Sequence, residues 1–304
     1  MNQLASTLPF SLAGRFYRGN LHTHSNRSDG ALAPETVVAT YRDAGYDFLA
    51  ITDHFLQNYH FPITDTRAFR TNTFTTLLGA ELHAPRLANG QIWHIVAVGL
   101  PLDFAPTSQS ESGPELARRA AAAGAFVGIA HPAWYGLTLA DARSLDAAHA
   151  IEIYNETCFA LNDRGESWYV ADSLLSQGHR YFAYAADDAH LLPARRDACA
   201  AWVMVRAQSL EPEHLIAALK AGHFYSSQGP EIQDIQIDAE RIRVVCSPAA
   251  HVYVSGSAPL ARQIHGADLT SVDFPRQPFE NSYLRVTVVD NGGKRAWSNP
   301  FWLA

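Results

Sequence analysis

Phe48-Leu49-Ala50-Ile51-Thr52-Asp53-His54 is a run of four apolar residues that passes directly into a threonine, an acid and a histidine. A short apolar run bounded by polar residues reads as a buried strand, and the acid and histidine then sit at its C-terminal end. The arrangement recurs. Asn20-Leu21-His22-Thr23-His24-Ser25 leads to Asp29-Gly30, Leu77-Leu78-Gly79-Ala80-Glu81 ends in a carboxylate, and Gly128-Ile129-Ala130-His131-Pro132 ends in a histidine. Ala185-Ala186-Asp187-Asp188-Ala189-His190 ends in two acids and a histidine, while Trp93-His94 opens an apolar run.

Working outward, the pattern predicts strands over 16–21, 48–51, 76–80, 92–98, 126–130, 150–153, 181–185 and 201–205. Between them, helical period predicts helices over 34–44, 114–123, 165–175 and 212–221, three starting at a proline and two closed by Gly124 and Gly222. Strands alternating with helices predict βα units around a parallel sheet, and their number suggests closure into a barrel. After residue 225 the period changes to two. Segments 232–237, 241–246, 251–255 and 283–289 alternate, and Asp290-Asn291-Gly292-Gly293 suits a tight hairpin. The reading is therefore a domain over 1–225 and a small antiparallel, sandwich-like β domain over 226–304.

Composition removes several function classes. The 304 residues carry 23 Lys+Arg against 30 Asp+Glu, a net charge of -7, with 47% hydrophobic residues, as in ordinary globular proteins. No clustered positive charge offers a footprint for nucleic acid, and the seven Lys+Arg beyond residue 225 form no basic stripe. No long apolar run suggests a membrane span, and the N-terminal stretch lacks the basic start of a secretory signal. Cys158, Cys199 and Cys246 are odd in number and far apart, which predicts no disulfide framework and a reducing, cytoplasmic compartment. The unusual number is 14 histidines, ten of them within the first 190 residues.

Residues two apart on a strand share a face, so His22 and His24 can turn two imidazoles toward one metal ion. Parallel barrels place their chemistry at the C-terminal ends of strands, where most of these clusters fall. In combination, the His-x-His, Thr-Asp-His, glutamate, His-Pro and Asp-x-His motifs resemble the PHP superfamily, the metal-dependent hydrolases named for polymerase and histidinol phosphatase. The resemblance covers about the first 225 residues and implies an α/β fold, a distorted (β/α)7 barrel, with two or three divalent transition-metal ions. By position it implies that His22, His24, Glu81 and Asp188 ligate one metal. It implies that Glu81, His94 and His131 hold a second, with Glu81 bridging, and that Asp29, His54 and His190 hold a third. Many relatives have a histidine where this chain has Asp29. The segments 222–230 and 296–300 resemble the branch that includes carbaryl-hydrolase-like metallohydrolases, in which a small β domain follows the barrel.

Imidazoles and carboxylates without thiolate suit Mn²⁺, Fe²⁺ or Zn²⁺. Such a centre implies a metal-activated hydroxide, with Glu81, Asp188 and His190 at the reacting centre. The leading expectation is a phosphoesterase acting on small phosphate mono- or diesters. The alternative is hydrolysis of a carboxylic ester, amide or carbamate, and a binding module with a decayed site is a third class, disfavoured because every ligand position is filled. Arg195 and Arg196 follow the last cluster and are candidates to bind a phosphate oxygen. Asp53 and Asp187 are read as orienting imidazoles rather than ligating, and Glu152 and Asn155 as lining the pocket. Trp134, Tyr135 and Trp168 are candidates for an apolar wall. His60 and His83 read as loop histidines, and His149, His179, His214, His223, His251 and His265 as surface or packing residues.

Overall fold

The computed structural model describes residues 8–303. Residues 1–7 of the first expected domain and of the N-terminal stretch, with residue 304 of the second, lie outside them. Strands form where the apolar runs lie: β1 Arg15–Asn20, β2 Phe48–Ile51, β3 His54–Phe55, β4 Thr75–Leu82, β5 Ile95–Val98, β6 Phe126–Ile129, β7 Ala150–Asn155, β8 Phe182–Ala186 and β9 Trp202–Ala207. The helices are α1 Pro34–Asp43, α2 Gly113–Ala122, α3 Leu139–Ser144, α4 Glu156–Asn162, α5 Trp168–Ser176 and α6 Pro212–Lys220. A capping box starts α2: the Ser112 hydroxyl accepts from the Glu115 amide while Glu115 accepts from the Ser112 amide. Gly222 ends α6 at φ +74°, where an added Cβ would come within 2.2 Å of the Phe182 ring.

The remaining strands are β10 Phe224–Ser227, β11 Ile232–Ile237, β12 Arg241–Ser255, β13 Ala261–Pro275, β14 Tyr283–Val289, β15 Arg295–Ser298 and β16 Phe301–Trp302. The strand path runs β11-β12-β14-β15-β10-β9-β1-β2-β4-β5-β6-β7-β8, so residues 8–225 and 226–303 share one hydrogen-bonded sheet. The later strands nevertheless line an apolar cluster of their own, with Val244, Val252, Val254, Phe279 and Val286 among its buried members. Segments 241–246 and 251–255 are one bulged strand, β12, and its partner β13 was not expected at all. Most β13 side chains are exposed, so its sequence carries no strong alternation.

Two features correct the sequence reading of the barrel. The sheet is not wholly parallel: β5 runs antiparallel to both β4 and β6, and β9 runs antiparallel to β1. Nor does it close, because β8 ends the strand path. Side chains seal that seam instead. Ser226 Oγ accepts from the Ala185 amide at 2.9 Å, and Asn299 Oδ1 accepts from the Ala183 amide at 2.8 Å. Asn299 Nδ2 donates to the carbonyls of Gly222 and Phe224, both at 2.9 Å. Buried β8 amides are thereby satisfied without a ladder. Alternate residues of the same strand serve different cores: Val96 and Val98 pack with Phe48, Phe126 and Tyr184, whereas Ile95 and Ala97 pack in a separate cluster with Leu116 and Ile129.

Candidate metal centre

Beyond the ends of β1 and β8 the two segments that follow them pair directly. The His24 amide donates to the Ala189 carbonyl at 2.8 Å, and the Asp188 amide donates to the His22 carbonyl at 2.9 Å. This brings His22, His24, Asp188 and His190 into one group. His54 lies opposite Glu81 in the β3–β4 pairing, which adds the third and fourth motifs. The reversal of β5 explains why Trp93-His94 precedes its strand: the start of an antiparallel strand lies at the same end of the sheet as the finish of its neighbours. His131 follows β6 at φ +22°, and Asp188 has φ +55°. Such backbone is costly for residues other than glycine and is held here by the surrounding packing.

All nine expected ligand residues converge in one cluster, and six of them, Asp29, His54, His94, His131, Asp188 and His190, line a cavity above it. His24 Nε2 lies 2.9 Å and His22 Nε2 3.2 Å from Asp188 Oδ1, with Glu81 within 3.8 Å of both imidazoles. Glu81 Oε1 lies 2.7 Å from His94 Nδ1 and 3.1 Å from His131 Nε2. Asp29 Oδ2 lies 3.3 Å from His190 Nε2 and 3.4 Å from His54 Nε2. Five overlapping ligand groups result: His22, His24 and Asp188; Glu81, His94 and His131; His24, Asp29, His54 and His190; His22, His131 and Glu152; and His54, Glu81 and His83. The donor set fits divalent cations. Glu81 Oε2, His22 Nε2 and His131 Nδ1 are buried without a hydrogen-bond partner among the described residues, a cost that coordination would remove.

The electrostatics point the same way. Burial alone would raise the Glu81 carboxyl, but the His54, His94 and His83 rings hold it well below its usual range. Asp188 is likewise held low against burial by His22 and His24, and Asp29 by His190 and His54. Burial pushes His94 down to about 3 and His24 to about 4. At His22 burial is outweighed by Asp188 and Glu152, and at His54 by Glu81 and Asp29, which lift it to about 11. At His190 the Asp29 carboxylate likewise overcomes burial and raises the ring. The carboxylates thus stay ionised and some imidazoles carry the compensating protons, the charge that divalent cations would replace.

The cavity above this cluster holds about 260 Å³ and is walled by Trp134, Leu161, Leu192 and Arg195. Trp134 and Tyr135 pack their rings 5.2–5.7 Å from those of His94 and His131. Trp168 is not part of this wall, since it lies beneath the Arg285 guanidinium at 3.8 Å. Cys158 also borders the cavity, but burial and then the Asp188 charge push its thiol far up, so it stays protonated and is no nucleophile. Arg195 is half-buried at the mouth, and its side chain makes no hydrogen bond or ion pair with any described residue. Arg196 is exposed and lies outside the cavity wall.

Several polar residues act differently from the sequence reading. Asp53 orients no imidazole. It accepts from the Ser25 amide and from the hydroxyls of Ser25, Ser28 and Thr64, pinning the turn that carries Asp29. Gly30 completes that turn, where an added Cβ would sit 2.7 Å from the His24 backbone. Asp187 accepts from the amides of Cys199, Ala200 and Ala201, from the Tyr41 hydroxyl and from Asn20 Nδ2, again without touching an imidazole. Glu152 is the residue that does orient rings: Oε1 lies 3.0 Å from His22 Nδ1, and Oε2 accepts from the His131 amide and Asn155 Nδ2. Asp197 was missed. It is buried and accepts from the amides of His190 and Leu191, clamping the loop that carries His190 and Arg195, and an acid directly after Arg195-Arg196 was its signal. His83 was misread as a loop histidine. It is buried beside His54 and Glu81, and the alternation in Glu81-Leu82-His83 was the sign that it shares the Glu81 face.

No protein-family model and no curated protein matches the sequence. A two-domain protein from Bacteroides vulgatus, described as containing a predicted PHP-like metal-dependent phosphoesterase, has a similar structure with a TM-score of 0.53. Identity is 14%, over 91% of this chain and 91% of that one. A structure from Bifidobacterium adolescentis, provisionally assigned as a metal-dependent phosphoesterase, gives a TM-score of 0.43 at 17% identity over 58% of this chain and 89% of its own. An amidohydrolase from Chromobacterium violaceum, solved with sulfate and no metal, gives 0.43 at 17% identity over 57% and 87%. The first likeness shows a shared fold, and the two weaker ones carry no argument. Among the described residues no helix is long and apolar enough to cross a membrane.

Proposed function

We propose that this protein is a metal-dependent hydrolase of small phosphate mono- or diesters. The observation that carries the reading is an unpaired guanidinium, Arg195, at the mouth of a small cavity whose floor is a buried cluster of carboxylates and imidazoles. At about 260 Å³ the cavity is smaller than a typical ligand pocket of 300–1,000 Å³, which favours a small substrate. His22, His24, Glu81 and Asp188 would hold one ion, Glu81, His94 and His131 a second, and Asp29, His54 and His190 a third, with Mn, Fe or Zn suited to these donors. When bound, such ions supply Lewis acidity and bring the ionisation of water toward neutral pH.

The chain's own residues do the rest. Glu81 faces two of the ligand groups through its two oxygens and so fixes their separation. Asp188 and Glu152 hold the His22 ring from its two nitrogens. Arg195 offers forked donors to the non-bridging oxygens of a phosphoryl group, and Trp134 and Leu161 exclude water from one side. The motifs at 222–230 and 296–300 support placement near the carbaryl-hydrolase-like branch, and three free cysteines suit a reducing, cytoplasmic location. The acidic balance argues for a small-molecule substrate rather than nucleic acid. A panel of phosphomonoesters, phosphodiesters, aryl esters and carbamates on Mn²⁺-reconstituted protein tests the reading. Phosphate esters should turn over fastest, chelator should abolish the rate, and inorganic phosphate should compete. Faster hydrolysis of an aryl ester or carbamate would make it a carbonyl hydrolase instead.

A further inference from the structure

His83 directly follows β4 and is 3% exposed. Its Nδ1 stands 3.0 Å from the Trp93 carbonyl oxygen. A carbonyl can only accept, so in the neutral ring Nδ1 carries the proton and Nε2 keeps a lone pair. That Nε2 lies 2.8 Å from Nδ1 of His54. Two ring nitrogens at this separation share one proton, and His83 has already committed its own to Trp93. His54 Nδ1 is therefore the donor, and His54 Nε2 is the nitrogen left to face Asp29 Oδ2 at 3.4 Å. Glu81 Oε2 also lies 2.6 Å from His54 Nδ1 as an ion pair, but without hydrogen-bond alignment, so His83 Nε2 is the aligned acceptor of that proton.

We propose that His83 is a positioning residue of the metal centre: it accepts the His54 Nδ1 proton, fixes the His54 tautomer, and turns His54 Nε2 toward the Asp29–His190 site while leaving Glu81 Oε2 open to a cation. Outer partners of ligating imidazoles set ring orientation and basicity, and their loss commonly costs metal affinity. The inference rests on the metal-hydrolase reading only in what His54 is held for. The hydrogen bond itself requires no activity.

Two measurements on the full chain test it. In chelator-treated protein with ¹⁵N-labelled histidine, long-range NMR spectra should show His83 protonated at Nδ1 and lone-paired at Nε2, with scalar coupling across the bond to His54 Nδ1. A proton on His83 Nε2 would overturn the proposal, and this arm decides the matter even if the protein binds no metal. In the second arm, Mn²⁺ titrations followed by electron paramagnetic resonance compare the parent with His83→Ala and His83→Gln. The alanine variant should weaken one class of Mn²⁺ site by about ten- to a hundredfold and leave the tighter class unchanged, which also shows that it folds. Glutamine, whose carbonyl oxygen can accept the same proton, should recover most of the loss. An unchanged isotherm would mean the bond is idle. Equal weakening of every class would make His83 a support of Glu81, and a glutamine variant as weak as alanine would make His83 a metal ligand; each of these overturns the proposal.

Discussion

Glu152 Oε1 stands 3.0 Å from His22 Nδ1, opposite the nitrogen that faces the metal-ligand cluster. A carboxylate there fixes the ring's tautomer and increases its basicity. Glu152→Ala should therefore lower cation affinity at the His22–His24–Asp188 group by about ten- to a hundredfold. Glu152→Gln should fall between, because its amide would confront the His131 amide and Asn155 Nδ2, which now donate to Glu152 Oε2. Competition of Mn²⁺-loaded protein against a fluorescent chelator measures both, and parent-like retention in Glu152→Ala would remove Glu152 from the centre.

Glu81→Ala should cost more activity and more bound metal than Asp29→Ala or His190→Ala. Glu81 is buried and approaches His94, His131 and His54 at 2.6–3.1 Å, whereas the Asp29 side chain is 38% exposed and serves one group. Elemental analysis with turnover separates the cases. Near-normal turnover in Glu81→Ala, with loss of turnover in the Asp29 and His190 variants, would reverse the assignment.

The strand-end motifs were legible because candidate metal ligands at strand termini combine two signals, an apolar run and a polar stop. His22, His54, Glu81, His131 and Asp188 announce themselves this way. His94 did not fit the rule, because the direction of a strand is set by its partners: the four-residue apolar run at β5 looks the same whether parallel or antiparallel. Barrel closure was equally hidden, since one serine and one asparagine side chain replace a backbone ladder at β8. Long-range hydrogen bonds such as those of Asp53 and Asp187 span loops whose course no local pattern encodes, so the polar supports of the site were assigned wrongly, whereas the candidate ligand positions do come together in one cluster.

Asn299 is the structural test of that seam. Replacing it with alanine leaves the Ala183 amide and the carbonyls of Gly222 and Phe224 without these partners in a buried setting. At about 1–3 kcal/mol for each buried group left unsatisfied, a loss of about 2–5 kcal/mol is expected after partial relaxation. Urea denaturation of metal-depleted protein gives the value, and a change below about 0.5 kcal/mol, the range of an ordinary surface substitution, would show that the seam needs no such seal.

His149 supplies a pH test remote from the metal centre. Burial, then the Lys220 charge, lowers its pKa, and its Nδ1 accepts from the Val127 amide at 3.1 Å. The folded pKa lies below the unfolded value, so the unfolded chain binds the proton first as pH falls. The contribution is present above about pH 6.5, the unfolded value, and is lost as pH drops through the folded pKa. Parent minus His149→Gln denaturation midpoints should therefore be larger at pH 7.5 than at pH 5. A difference independent of pH would show that His149 does not titrate differently on folding.

Arg195 and Arg196 separate the two enzyme readings more sharply apart than together. Arg195 lines the cavity and Arg196 does not, so a phosphate contact belongs to Arg195. Charge-assisted hydrogen bonds are worth about 1.5–3 kcal/mol, which corresponds to a fall in kcat/KM of about ten- to 150-fold for Arg195→Ala toward a phosphate ester. Arg196→Ala should change it less than about threefold, and neither should alter metal content. A carbonyl substrate develops charge on one oxygen rather than several, so hydrolysis of an aryl ester should be nearly indifferent to Arg195→Ala. If phosphate-ester turnover were also indifferent, the guanidinium would have no role in substrate binding. The phosphoesterase reading would then lose the observation on which it stands.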